Sequence, residues 1–272
     1  SGVDIPEVGL GTWNYKGDAA VVQRALELGA NFLDTAESYG TEEKVGKAIK
    51  GNRDALFVAT KVSPEHFRHT DVISAADKSL RKLGIETIDL YQLHNPRIDT
   101  IEDDEVFHTL DELVDEGKIR HYGVALGPDI GWFEEGEASM TERHAPVLQI
   151  IYSILEQDPA RRFFPIAESE KTGLLTRVPH ASGLLDGTYT RDTVFEASDH
   201  RSHRRQEWLK QGLKKLAHLD FLTEDLSSTI GQIAIKFALT GHQVASVLPN
   251  ITNAAQLEEF ASAPETEAGR SE

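Results

Sequence analysis

The chain has 272 residues, 39% of them hydrophobic and 27% charged, which allows one large domain or two small ones and suits an α/β barrel of about 250 residues. Its lack of cysteine excludes disulfides, thiolate nucleophiles, iron–sulfur clusters and Cys-ligated zinc. With 45 acidic against 28 basic side chains the net charge is -17, a surface that repels nucleic-acid backbones and anionic lipid headgroups. That surplus suits either a protein kept in solution at high salt or an ordinary acidic enzyme. No apolar run approaches the roughly 20 residues of a membrane span, and the start of the chain lacks a charged-then-apolar secretory pattern. A cytoplasmic location with no nucleic-acid and no membrane partner is therefore expected.

Short β-rich runs alternate with longer helical stretches along the chain. The predicted strands are residues 8–12, 32–35, 56–61, 88–93, 121–126, 147–152, 174–178 and 245–248. Between them, segments such as 19–28, 42–49, 72–83 and 102–116 repeat apolar residues at three- and four-residue steps, the helical period. Asn31, Gly84, Gly117 and Gly173 are placed as helix C-terminal caps. Strands separated in turn by helices predict a closed (β/α)8 TIM barrel rather than an open doubly wound sheet. An open nucleotide-binding sheet would carry a Gly-rich turn leading into a helix after its first strand; here only Gly9-Leu10-Gly11 occurs. The reading is one barrel domain over residues 1–272, interrupted after the seventh strand by a loop and helix insertion at about 179–227. One helix is expected there, around 208–219, and the polar tail after Pro264 is expected to fray.

In such a barrel, polar residues at the C-terminal ends of strands are the informative ones, because deeper inward positions are filled with branched apolar side chains. Asp34 closes the second predicted strand, Tyr39 lies in the loop after it, Lys61 closes the third, and His94 follows the fourth. Singly, each has an ordinary explanation: Asp34 and His94 as caps, Lys61 reaching solvent, Tyr39 as a rim aromatic. Together they form an acid–base set at one barrel mouth. A phenol is a weak acid at neutral pH unless its anion is stabilised, and a nearby ammonium does that. A carboxylate keeps the ammonium charged and placed, and an imidazole can donate a hydrogen bond to a carbonyl oxygen as negative charge develops on it. Reduction of a carbonyl needs this pairing of a proton donor and an oxygen-binding group. Hydride has no protein source, so a nicotinamide would have to lie over the same pocket.

The run DTAESYG (34–40), the strand FVATKV around Lys61 and IDLYQLH ending at His94 resemble the aldo-keto reductase family in its own order. EEKVGKAI (42–49) and GKIRHYGV (117–124) are further matches, and the likeness runs from GLGTW (9–13) to VLPN (247–250). The resemblance implies an eight-stranded barrel, an extended nicotinamide cofactor and reversible reduction of aldehydes, ketones or sugars. It makes Tyr39 the proton donor, Lys61 and Asp34 its tuning pair, and His94 the group that orients the carbonyl. Gly11, Thr12 and Trp13 would lie near the nicotinamide and substrate, and Gln149 would bind the carboxamide. Arg177 stands where many relatives stack an aromatic ring on the nicotinamide; Pro179, Leu184, Asn250 and Gln256 complete the implied cofactor contacts. Trp13 has the alternative of a core aromatic.

Two departures from the family pattern matter. After the fifth strand, Gly123-Val124-Ala125-Leu126 replaces a run that carries two polar carboxamide contacts in many relatives. After the eighth, residues 249–259 hold no cation, so Asn250, Thr252 and Gln256 offer a 2'-phosphate only neutral hydrogen bonds. Family habit favours NADP(H), with NAD(H) or dual use the alternative. The likeness starts just inside the family's N-terminal hairpin, so the cover over the barrel bottom is expected to be incomplete. His200, Arg201, His203, Arg204 and Arg205 form a basic cluster, read as a lid segment over cofactor phosphates or an anionic substrate in preference to a metal site. His66 and His69 are placed as loop residues near the pocket. Two rival functions remain: a barrel isomerase or metal-dependent lyase using Lys61 and His94, and a catalytically weak, reductase-like sensor that binds nucleotide and a partner protein. No motif sets the oligomeric state.

Overall fold

The computed structural model describes residues 3–13, 15, 19–127, 130–197, 200–203, 206–223, 228–251 and 253–265. Eight parallel strands follow one another around a single sheet in sequence order: β1 (Leu10–Gly11), β2 (Phe32–Asp34), β3 (Phe57–Val62), β4 (Ile88–His94), β5 (Ile119–Ala125), β6 (Val147–Ile151), β7 (Gly173–Arg177) and β8 (Val244–Leu248). Parallel bridges Val8–Val247 and Gly11–Asn250 join the first strand to the last and close the (β/α)8 barrel. Gly11 permits that seam, since a Cβ there would stand 2.9 Å from the Pro249 carbonyl oxygen. All eight predicted strands are present, with ends shifted by one or two residues.

Ten α-helices occur among the described residues. The first seven are α1 (Ala19–Glu27), α2 (Glu42–Ile49), α3 (His69–Leu83), α4 (Ile98–Glu102), α5 (Asp104–Asp115), α6 (Phe133–Thr141) and α7 (Asp158–Glu170). The last three are α8 (Gln206–Ala217), α9 (Ile230–Leu239) and α10 (Ala254–Ala261). Four local expectations are corrected. The helix expected over 102–116 is α5 and starts two residues later, because Asp103 leaves helical geometry to accept the Glu105 backbone N–H as an N-cap and so separates α5 from α4. His69 is the first residue of α3 rather than a loop residue, and His66 lies in a 3-10 helix (Pro64–His66). Gly173 is the first residue of β7; Lys171, at φ 58°, caps α7 in its place. The turn after α1 is made by Gly29 at φ 76°, while the Asn31 side chain donates to the Ala55 carbonyl. Gly84 and Gly117, both at positive φ, end their helices as expected.

Alternation along the strands builds two cores. Outward residues such as Leu33, Val58, Val62, Tyr91, Leu93, Val124 and Leu148 pack on the helices. Inward residues Phe32, Ala59, Leu90, Leu175 and Leu248 fill the barrel. At the strands' N-terminal end this filling borders an apolar hollow lined by Ile5, Phe57, Val147 and Ala245. At the other end the inward positions turn polar: Asp34 follows Phe32, Lys61 follows Ala59, Gln92 follows Leu90, and Gln149 follows Val147, each two residues on.

Between β7 and α9 the chain forms a 3-10 segment (Ala181–Asp186), a short 3-10 turn (His200–His203), α8 and a 3-10 turn (Asp220–Leu222). α8 is the one predicted helix, beginning two residues earlier than expected. It buries Leu209 against Ala181, Leu184, Leu185 and Ala234. Arg204, Arg205, Ser227, Thr252 and the tail from residue 266 lie outside the described residues. No helix among the described residues is long and apolar enough to cross a membrane.

Candidate active site at the barrel mouth

Two adjacent strand ends supply a buried ion pair. The Lys61 ammonium donates to Asp34 Oδ2 at 2.6 Å and to the Thr35 carbonyl at 2.7 Å, and its side chain is 0% exposed. Burying a charge this deeply is costly unless partners replace its water, and here a carboxylate and a carbonyl do so. The second Asp34 oxygen accepts from Gln92 Nε2 at 3.3 Å and Gln149 Nε2 at 3.2 Å, while Gln149 also donates to Gln92 Oε1 at 3.3 Å. The carboxylate is thus held by strands β3, β4 and β6 together. Thr12 steadies the β2 end from the other side, its hydroxyl donating to the Asp34 carbonyl and lying within hydrogen-bond range of Thr41, which also reaches Thr35.

Tyr39 ends a 3-10 helix (Glu37–Tyr39) that starts three residues beyond β2 and brings its ring over the ion pair. The Lys61 ammonium is 4.9 Å from the ring centroid. Trp13 meets the same ring edge-on at 4.9 Å and His94 at 5.7 Å between centroids. The four residues expected to converge therefore do. Trp13 is 38% exposed, so it lines the mouth and is not a core aromatic. Burial, then the charges of Lys61 and Arg177, push the His94 imidazole down to about 3, so it is neutral at physiological pH. Its Nδ1 faces the Ser38 hydroxyl at 3.3 Å.

The expected cofactor residues lie at the ends of β1 and β2, on β6, at the end of β7 and in the segments after β7 and β8. Gln149 Oε1 is buried and has no hydrogen-bond partner among the described residues. Ala125 pairs with Gln149 across β5 and β6 and offers it no side-chain polar group. Arg177 donates to the carbonyls of Leu126, at 2.7 Å, and Gly127, which ties the end of β7 to the loop after β5. Burial lowers the tendency of that guanidinium to stay charged, while Tyr39, Asp34 and Glu156 oppose the shift. Beyond Arg177 the backbone turns sharply: Val178, Ala181, Ser182 and Gly183 all have positive φ, a conformation costly for the β-branched Val178. Pro179 is buried in this turn. The Leu184 side chain belongs to the satellite core under α8, so only its backbone can face a ligand.

Beyond β8, Asn250 pairs with Gly11 and is exposed, and Gln256 lies in the first turn of α10, which Asn253 caps. A cation does approach here from outside the segment: Arg24 of α1 donates to Glu258 at 3.1 Å. The basic cluster is arranged differently from a phosphate lid at the one position where its side chain is described. The Arg201 guanidinium lies over the rings of Phe195 and Tyr189, at 5.0 and 5.5 Å, and donates to the Ser182 carbonyl and the Tyr189 hydroxyl.

Three contributors escaped the sequence reading. Gln92 sits mid-strand in IDLYQLH, yet it shares the inward parity of His94 and is in register with Lys61, a pattern period-two alternation could have exposed. Ser38 and Glu37 carry no local mark beyond their place in DTAESYG. Glu37 accepts the Ser63 backbone N–H at 3.2 Å and His66 Nδ1 at 3.0 Å; burial would raise its carboxyl, but these bonds leave it below the usual range.

A closed barrel with this constellation at the C-terminal ends of its strands is the architecture of a barrel enzyme, in which the loops at that face carry the chemistry. Residues 7–268 match the Aldo/keto reductase family, and the chain belongs to that family. It is 30% identical over 268 residues to aldo-keto reductase YhdN of Bacillus subtilis, spanning 88% of this chain and 79% of that one. Among solved structures, glycerol dehydrogenase AKR11B4 from Gluconobacter oxydans superposes with TM-score 0.81 at 26% identity, covering 97% of this chain and 88% of the other. An aldo/keto reductase from Klebsiella pneumoniae, solved with NADP and acetate, is 25% identical with TM-score 0.71, covering 95% and 86%.

Proposed function

We propose that this protein is an NAD(P)H-dependent carbonyl reductase that converts a small aldehyde or ketone to an alcohol, reversibly, at the Asp34–Tyr39–Lys61–His94 mouth. The observation that carries the reading is the Lys61 ammonium, fully buried, bonded to Asp34 and 4.9 Å from the Tyr39 ring. An ammonium beside the phenol stabilises the negative charge that develops on its oxygen as the proton leaves, which suits Tyr39 to donate a proton to a carbonyl oxygen. His94, neutral, donates a second hydrogen bond to that oxygen and orients the carbonyl. Trp13 forms the apolar wall beside Tyr39 and keeps water from the reacting carbon.

A reduced nicotinamide bound across the mouth supplies the hydride. The residues present fit that group. The orphaned Gln149 Oε1 accepts a carboxamide N–H, and the Asp34 carboxylate fixes the donating half of the same side chain toward the barrel. Arg177 presents a guanidinium plane at the β7 end, and the strained backbone at Val178–Gly183 follows directly on it, as strained loops at ligand sites do. Asn250 and Gln256 lie at the end suited to the adenosine. NADP(H) is favoured by the family and by the Klebsiella relative's complex; NAD(H) is the alternative, because the described residues after β8 place no cation there. The small carbonyl class rests on the same relatives, one of which is a glycerol dehydrogenase.

The test is titration with NADPH and with NADH, followed by quenching of the three tryptophans, then addition of a small aldehyde while the reduced cofactor's absorbance is monitored. Quenching followed by absorbance loss supports the reading. Quenching without turnover supports the nucleotide-binding sensor instead, and neither response refutes both.

A further inference from the structure

The short helix that carries Tyr39 makes one turn of three residues, so its side chains project about 120° apart and can serve three neighbours at once. Glu37 points to the loop after β3 and is held there by the Ser63 backbone N–H and His66 Nδ1. Tyr39 points to Lys61 and Trp13. Ser38 points to β4, where its hydroxyl meets His94 Nδ1. The backbone beside that ring is anchored as well, because Asn95 takes a left-handed conformation at φ 55° and donates its N–H to the Ala125 carbonyl, pinning the end of β4.

We propose that Ser38 is a positioning residue: its hydroxyl donates to His94 Nδ1 and holds the ring in the tautomer whose proton is on Nε2, the hydrogen presented to the substrate oxygen. A neutral imidazole has one N–H, and which nitrogen carries it is set by what the other nitrogen meets. Burial, then the positive charges of Lys61 and Arg177, disfavour the doubly protonated ring, so it does not donate from both nitrogens. With the proton on Nδ1 instead, the Nε2 lone pair would face the carbonyl lone pairs and repel them. A hydroxyl can donate or accept, so Ser38 is able to donate to Nδ1 and leave the proton on Nε2, whereas a backbone carbonyl in its place could only accept and would force the proton onto Nδ1. The proposal rests on the reductase reading of the same site.

The test reads the tautomer directly. In protein carrying 15N-labelled histidine, the two ring nitrogens of His94 are assigned by comparison with His94→Asn. The wild type is expected to show a protonated Nε2 and an unprotonated Nδ1 at neutral pH. Ser38→Ala is expected to give a mixture of tautomers and to lower kcat/KM for an aldehyde about tenfold, the effect of one hydrogen bond, with NADPH affinity unchanged. Ser38→Thr, which keeps the hydroxyl, restores both. A wild-type ring protonated on Nδ1, or a Ser38→Ala ring with an unchanged tautomer whatever its turnover, overturns the proposal. Failure of the reductase reading shows separately, as absence of aldehyde reduction by the wild type itself.

Discussion

Replacing Lys61 with methionine keeps the bulk of the side chain and removes its charge, which isolates the energetics of the buried pair. Both partners are shielded, with side chains 0% and 5% exposed, and the 2.6 Å contact is the only one that Asp34 Oδ2 makes to a cation among the described residues. The variant leaves a carboxylate in the barrel with the Gln92 and Gln149 amides as its remaining donors. Stranding one half of a buried pair costs about 3–5 kcal/mol. Adding Asp34→Asn removes the stranded charge and is expected to recover at least half of the loss. The assay is urea unfolding of wild type, both single variants and the double variant at one pH, pH 7. A Lys61→Met protein within about 1 kcal/mol of wild type, below the buried-pair cost, would refute the argument that this pair is desolvated and coupled.

Acid unfolding tests His94. Its imidazole is lowered from 6.5 to about 3, so as pH falls below 6.5 the unfolded chain takes up a proton that the folded chain refuses, and stability fully present above pH 6.5 is lost toward pH 3. His94→Asn should flatten that limb of a plot of urea midpoint against pH; an unchanged limb would place the sensitivity elsewhere. Gly46→Ala sets packing against propensity in α2: alanine gains about 1 kcal/mol of helix propensity, but its Cβ would stand 2.5 Å from the Lys82 carbonyl oxygen of α3. Net destabilisation of about 1–3 kcal/mol in thermal or urea unfolding is expected, and a stabilised protein would contradict the close approach. Asn253→Ala removes the bond from its side chain to the Gln256 N–H and should cost about 1 kcal/mol, with Asn253→Ser retaining most of it.

What could be read from the residues alone follows from how local each cause is. The eight strands announced themselves because each is a short apolar run, and Asp34 and His94 because each breaks such a run at its end. Gln92 stayed hidden: one polar residue inside IDLYQLH looks like ordinary alternation, and its partners Asp34 and Gln149 are 58 and 57 positions away. The break at Asp103 was masked by a helical period that continues through it, since only the capping bond to Glu105 marks the interruption. Arg201 looked like part of a basic surface because sequence order shows its charged neighbours and not the Tyr189 and Phe195 rings that receive it. Leu184 was assigned to the cofactor by its motif, yet its side chain is drawn into the apolar layer beneath α8, a contact that only folding creates.

Proton donation by Tyr39 is the centre of the account, and Tyr39→Phe tests it with the smallest possible change, removal of one oxygen from a ring that keeps its contacts with Trp13 and His94. Aldehyde reduction is measured for both proteins alongside NADPH binding by tryptophan quenching. Reduction is expected to fall by about 10²-fold or more while the cofactor binds as before. Turnover close to that of the wild type, with binding intact, would contradict it.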